Sequence, residues 1–198
     1  SGIFSNEFAW KSDAVFFSSE YGRNRAVLAK IKAGLCIVTA VYFAIFFVYT
    51  GIMLLYLGAD GWNLQVQSSM AGWKYFYHIT NLEKYLVIGA GGYIGCLFLS
   101  FLSMFVSART KSTVMAMMAP VMVLFLPSFV GNIKSPVVNK ILGLLPDQLM
   151  QAGNALNFFN LYSIGGKVVG EIPVIIVLYA VLTAVLLPVL YRTYQKAV

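Results

Sequence analysis

Four stretches of this chain carry no Asp, Glu, Lys or Arg: Ala33 to Ala59, Tyr85 to Ala108, Ser112 to Ile133 and Ile172 to Tyr191. Each is a continuous apolar run rather than an alternation of apolar and polar residues. A helix needs roughly 20 apolar residues to cross about 30 Å of hydrocarbon, and in lipid only helices or closed barrels satisfy every backbone N–H and C=O. Without period-two alternation a barrel is disfavoured. The pattern therefore predicts four transmembrane helices, over about 33–58, 85–107, 113–131 and 172–191.

The segments between these runs are patterned too. Ser135-Pro136 reads as a cap followed by a first helical turn, and Val137, Val138, Ile141, Leu142 and Leu145 recur at helical spacing. A second short helix is expected after Pro146, with Asp147 as its cap and Leu149, Met150 and Leu156 on one side. Both are expected to lie flat at the outer interface. Residues 1–32 mix charged and apolar side chains irregularly and read as a cytoplasmic, partly amphipathic segment. The fold class is thus an all-α integral membrane protein. Residues 1–32 are expected to form a cytoplasmic segment, and 33–198 the transmembrane domain with its outer interfacial helices.

Composition supports the membrane reading. Hydrophobic residues make up 60% of the chain, charged residues 11%, and mean hydropathy is +0.79, more apolar surface than a soluble core of this size hides. The net charge of +7 does not point to nucleic acid, because the basic residues flank apolar blocks instead of forming one face. With four spans, Lys11, Arg23, Arg25, Lys30, Lys32, Arg109, Lys111, Arg192 and Lys196 share one side, nine of the fourteen basic residues. The positive-inside rule makes that side cytoplasmic, with both ends inside a plasma membrane. Trp62, Trp73, Tyr75, Tyr77 and Tyr85 gather at the first outer loop, and Tyr191 and Tyr194 lie at the inner end of the last span. Such rings suit the headgroup level.

Candidate chemistry is sparse. Cys36 and Cys96 fall within predicted spans as apolar thiols, and no CxxC or His/Cys cluster suggests a metal site or a disulfide. Nothing near the start reads as a signal peptide. His78 is the only histidine and reads as an interfacial side chain. The run Gly89-Ala90-Gly91-Gly92-Tyr93-Ile94-Gly95 lacks the Lys-Ser/Thr of a phosphate loop, as does Gly165-Gly166-Lys167, and small residues at these spacings let helices approach closely. Pro120 and Pro127 lie within the third predicted span and are expected to kink it, for packing or for gating. Glu171 and Asp147 fit boundary or capping roles, and no base can be inferred beside Ser18, Ser19, Ser100 or Ser103. No enzyme, metal or cofactor is expected on the chain itself. The predicted spans hold no ionisable group of the kind that marks a proton or ion path.

The N-terminal segment is more specific. Ile3-Phe4-Ser5-Asn6-Glu7, then Ser18-Ser19-Glu20-Tyr21-Gly22-Arg23, then Leu28-Ala29-Lys30 resembles the signature of type-2 ABC exporter permeases. That family carries a Phe-x-x-Glu element, a Ser/Thr turn ending in Arg, and a Lys before the next span. Glu7, Ser19, Arg23 and Lys30 match it in order, while Lys11 and Glu20 stand where many relatives have Gly and Pro. The Gly-rich span, the inner turn Ser107 to Ser112, the Pro-containing span and the outer helical region agree with it. Family members usually have six spans, so the chain looks like the C-terminal two-thirds of one, without the first two spans.

The resemblance implies two paired permease chains, identical or different. Each would dock a separate ABC ATP-binding subunit, which carries the ATP, through residues such as Glu7, Asp13, Ser19, Arg23 and Lys30. The partners expected are that subunit, a second permease chain and membrane lipid, with no nucleic acid. A non-transporting membrane scaffold or sensor subunit is the alternative. A small secondary transporter ranks third, because neither an internal repeat nor an intramembrane charge is visible.

Overall fold

A computed structural model describes residues 25–68, 75, 77–130, 136–151, 153, 156, 160–164 and 166–196. The described chain is mostly helical. α1 covers Arg25–Leu57, α2 Asn81–Thr110, α3 Thr113–Val130, α4 Pro136–Leu142, α5 Pro146–Met150 and α6 Glu171–Lys196. Between α5 and α6 two short strands, β1 (Leu161–Ile164) and β2 (Lys167–Gly170), pair antiparallel with Leu161 opposite Gly170 and Ile164 opposite Lys167.

Three helices are long and apolar enough to cross a membrane: Val27–Leu57, Asn81–Thr110 and Glu171–Thr193. Each extends past its predicted apolar run at one end or both. α3 has 18 residues, about 27 Å at 1.5 Å per residue, and its apolar part, Thr113–Pro127, is shorter than the other three. It continues through Pro120 and Pro127, just as α6 continues through Pro188.

The helix ends have local causes. Gly58, at φ +73°, stops α1 in the left-handed conformation and returns its N–H to the Leu54 carbonyl at 3.0 Å. α2 starts in a reciprocal capping box: the Thr80 N–H donates to Glu83 Oε2 at 2.8 Å, and the Glu83 N–H to Thr80 Oγ1 at 3.2 Å. Pro146 occupies the first turn of α5, where its missing N–H costs nothing. The residue at the cap position is Leu145, which makes no side-chain cap, so Asp147 sits inside the first turn rather than capping it. The hairpin was not anticipated. Gly166, at φ +80°, lies in the tight turn between the paired Ile164 and Lys167.

Two compact units divide the chain. One comprises the described part of Ser1–Val41 together with Cys96–Phe125 and the described part of Ala180–Val198; the other comprises Tyr42–Gly95 and Leu126–Tyr179. In the first, Val27 and Ile31 of α1 pack with Phe101, Met104 and Ala108 of α2 and Leu190 of α6. Ser103 Oγ donates to the Ala116 carbonyl at 2.8 Å, tying α2 to α3. In the second, Val66, Tyr75, Leu156 and Ile172 form a separate cluster. Tyr75 is a core residue of that unit, and its hydroxyl accepts from Lys84 Nζ at 2.8 Å.

α1 and α2 meet within the second unit through glycine. A Cβ on Gly89 would lie 2.9 Å from the Phe46 ring, and one on Gly92 would lie 2.8 Å from the Tyr42 hydroxyl. Tyr42 donates to the Gly89 carbonyl at 2.6 Å, the Phe46 and Tyr85 rings stack at 5.1 Å, and Thr50 and Tyr85 share a hydrogen bond between their hydroxyls. Lipid supplies no hydrophobic drive between helices, so close packing and interhelical hydrogen bonds hold such a pair.

Candidate functional site

Of the residues expected to couple to an ATPase, Glu7, Asp13, Ser19 and Arg23 lie outside the described residues. Lys30 is described: it is half-buried on α1, beside the buried Ile31 and one turn from Val27. The structure thus sets one member of the set on the packed end of a long apolar helix.

Two cavities lie near apolar helix surfaces. In the first unit a cavity of about 280 Å³ is lined by Gly34, Ile37 and Val38 of α1, by α2 from Leu99 to Met104, and by Pro120 of α3. Its polar side chains are Ser100 and Ser103, and the Ser103 hydroxyl is already committed to Ala116. In the second unit a larger cavity of about 540 Å³ has an apolar wall of Met53, Leu54, Leu57 and Leu82, with Thr50, Asp60, Asn81 and Tyr85 contributing polar atoms. Asn81 Nδ2 donates to the Gly61 carbonyl at 2.9 Å, which fixes the turn after α1 against the start of α2. Apolar walls with a few placed polar groups accept amphiphilic molecules.

The most polar described cluster gathers where α4, α5, the hairpin and the start of α6 meet in the second unit. Glu171 opens α6 almost fully buried, at 2% exposure, and Asn160 Nδ2 donates to its Oε2 at 2.7 Å. Gly143 allows this approach, since a Cβ there would stand 2.9 Å from Glu171 Oε1 and 3.1 Å from Asn160 Nδ2. Gly170 leaves space for the Tyr77 ring in the same way. The Tyr179 hydroxyl donates to the Leu144 carbonyl at 2.9 Å, and that of Tyr162 to the Lys140 carbonyl at 2.8 Å. Together these bonds anchor the α4–α5 connection to the hairpin and α6.

Asp147 belongs to this cluster. Its Oδ2 accepts from Gln148 Nε2 at 3.0 Å, while Oδ1 is buried with no hydrogen-bond partner. Burial raises its pKa above the usual aspartate value. The Gln148 N–H and side chain and the Asp147 N–H act in the opposite direction, without completing a bond of normal geometry to Oδ1. Burial likewise raises the Tyr77 hydroxyl, with the Ile172 backbone opposing and the Glu171 charge adding to it, and it raises the Tyr162 hydroxyl, again reinforced by Glu171.

Local pattern gives Asp147 and Glu171 capping or boundary roles, and no spacing argument joins them as a pair. A weak signal was present: they are the only two acids between Lys84 and the end of the chain. Among the described residues no group of three or more His, Cys, Asp and Glu side chains is placed to hold a metal. No family model, no curated protein and no solved structure matches the chain.

Proposed function

We propose that this chain is the permease subunit of a type-2 ABC export system, with four membrane spans, both ends in the cytoplasm, and ATP bound by a separate subunit. The observation that carries the reading is the ordered set Glu7, Ser19 and Arg23 ahead of a long apolar helix with Lys30 near its start. The bias of basic residues toward one side supports the orientation. The fourth span in this reading is α3, whose 18 residues come close to the thickness of the hydrocarbon layer.

In this mechanism residues 13–25 meet the ATP-binding subunit. They are polar enough to contact a soluble partner and in the sequence end on the first residue of α1. Closure of two such subunits around ATP pushes on this segment, and a packed helix passes the displacement on as a rigid element. Two permease chains enclose the path, and apolar cavities such as the one beside Pro120 suit an amphiphilic substrate.

The test is deletion of residues 13–25, or Arg23→Ala, in the full-length protein. Both variants are expected to insert into the membrane normally while losing the co-purified ATP-binding subunit that the unaltered protein retains. Undiminished retention and transport in both variants would overturn the coupling role.

A further inference from the structure

Asp147 and Glu171 are both more than nine-tenths buried, yet their surroundings treat them differently. Glu171 receives the 2.7 Å bond from Asn160, which favours a charged carboxylate against the burial and the Asp147 charge that disfavour it. Asp147 Oδ1 receives nothing. The Asp147 charge opposes that of Glu171, and among the described side chains no cation offsets either.

Among the described side chains, the other titratable groups of the cluster bring no positive charge. Tyr179, on α6, and Tyr162, on β1, have hydroxyls that donate to backbone carbonyls. Tyr77, in the loop before α2, keeps a neutral phenol, since burial and the Glu171 charge both disfavour its ionisation. Lys140, on α4, keeps its side chain exposed. Two buried carboxylates ionised together, one with an unsolvated oxygen, are costly unless something neutralises one of them.

We propose that Asp147 and Glu171 form a proton-binding site that holds one proton at neutral pH, carried on Asp147 Oδ1, the oxygen that accepts no hydrogen bond. A proton needs a single acceptor oxygen. A hard metal ion needs about six, and here Glu171 Oε2 and the Leu144 carbonyl already accept hydrogen bonds from within the protein. The protonated state suits the packed arrangement of α5 against α6, and loss of the proton introduces repulsion between them. The inference does not depend on the permease reading.

The test is infrared spectroscopy of the full-length protein in lipid nanodiscs at neutral pH, with and without isotope-labelled aspartate. The expected result is a protonated-carboxyl C=O band that shifts with the label, disappears in Asp147→Asn and persists in Glu171→Gln. The labelling readout needs no variant, so it stands even if Asp147→Asn folds poorly. Absence of the band in the unaltered protein, its failure to shift with labelled aspartate, or its loss in Glu171→Gln alone would overturn the assignment. So would stabilisation by sodium or calcium chloride, abolished in Asp147→Asn, in a protein that shows no such band.

Discussion

At the scale of single residues, the sharpest feature is a carboxyl group whose environment disfavours its charge. The folded state keeps the Asp147 proton to higher pH than the unfolded chain does. The stability linked to this group is therefore complete below the unfolded-state pKa and is lost as pH rises through the raised folded-state value. Thermal melts of the unaltered protein should show stability falling over that window. Asp147→Asn should flatten the fall and gain roughly 1 kcal/mol at neutral to alkaline pH, the scale of relieving one poorly satisfied buried polar group. A steeper fall in the variant would contradict this. Gly143 offers a second residue-scale test. Gly143→Ala places a methyl group against Glu171 Oε1 and Asn160 Nδ2, and it should cost about 1–3 kcal/mol by overpacking, measured by the same melts. Neither effect was legible in the sequence. Whether Asp147 caps a helix or is buried beside Glu171 depends on contacts between distant segments, and a local pattern reports only the helix start.

Among elements, the apolar runs were the most legible feature, because spanning helices are specified by uninterrupted apolar length. Their ends were less so. Thr80-Asn81-Leu82-Glu83 is a readable capping box that sets the start of α2, several residues ahead of the apolar run itself. Thr80→Ala should cost about 1 kcal/mol and leave the remainder of α2 intact by circular dichroism. The glycines of α2 were recognised as packing residues, but not which side chains they meet. Gly89 faces Phe46 and Gly92 faces Tyr42, so Gly92→Leu should separate α1 from α2. The expected readout is loss of disulfide cross-linking between cysteines placed at positions 50 and 85, whose native hydroxyls are hydrogen-bonded. Persistent cross-linking would show that the helices do not depend on that approach. The hairpin was missed because its strands are four residues each and their pairing follows from a glycine turn rather than from any alternation strong enough to read.

For the whole molecule, three long apolar helices among the described residues point to a membrane protein, and the proposed orientation rests on where the basic residues lie. Single cysteines introduced at Lys111 and at Ser163, both exposed, should be labelled from opposite sides of the membrane by an impermeant reagent, because an odd number of crossings separates them when α3 spans. Labelling from the same side would remove α3 from the count. The permease reading rests on a few polar residues at one end of the chain, and such residues report a function only through the partner they meet. The most direct measurement is therefore purification of the full-length protein from its native membranes in mild detergent, followed by mass spectrometry of what stays bound. The permease reading requires a stoichiometric ATP-binding subunit. A reproducible preparation with no such subunit would contradict it and favour a scaffold or sensor.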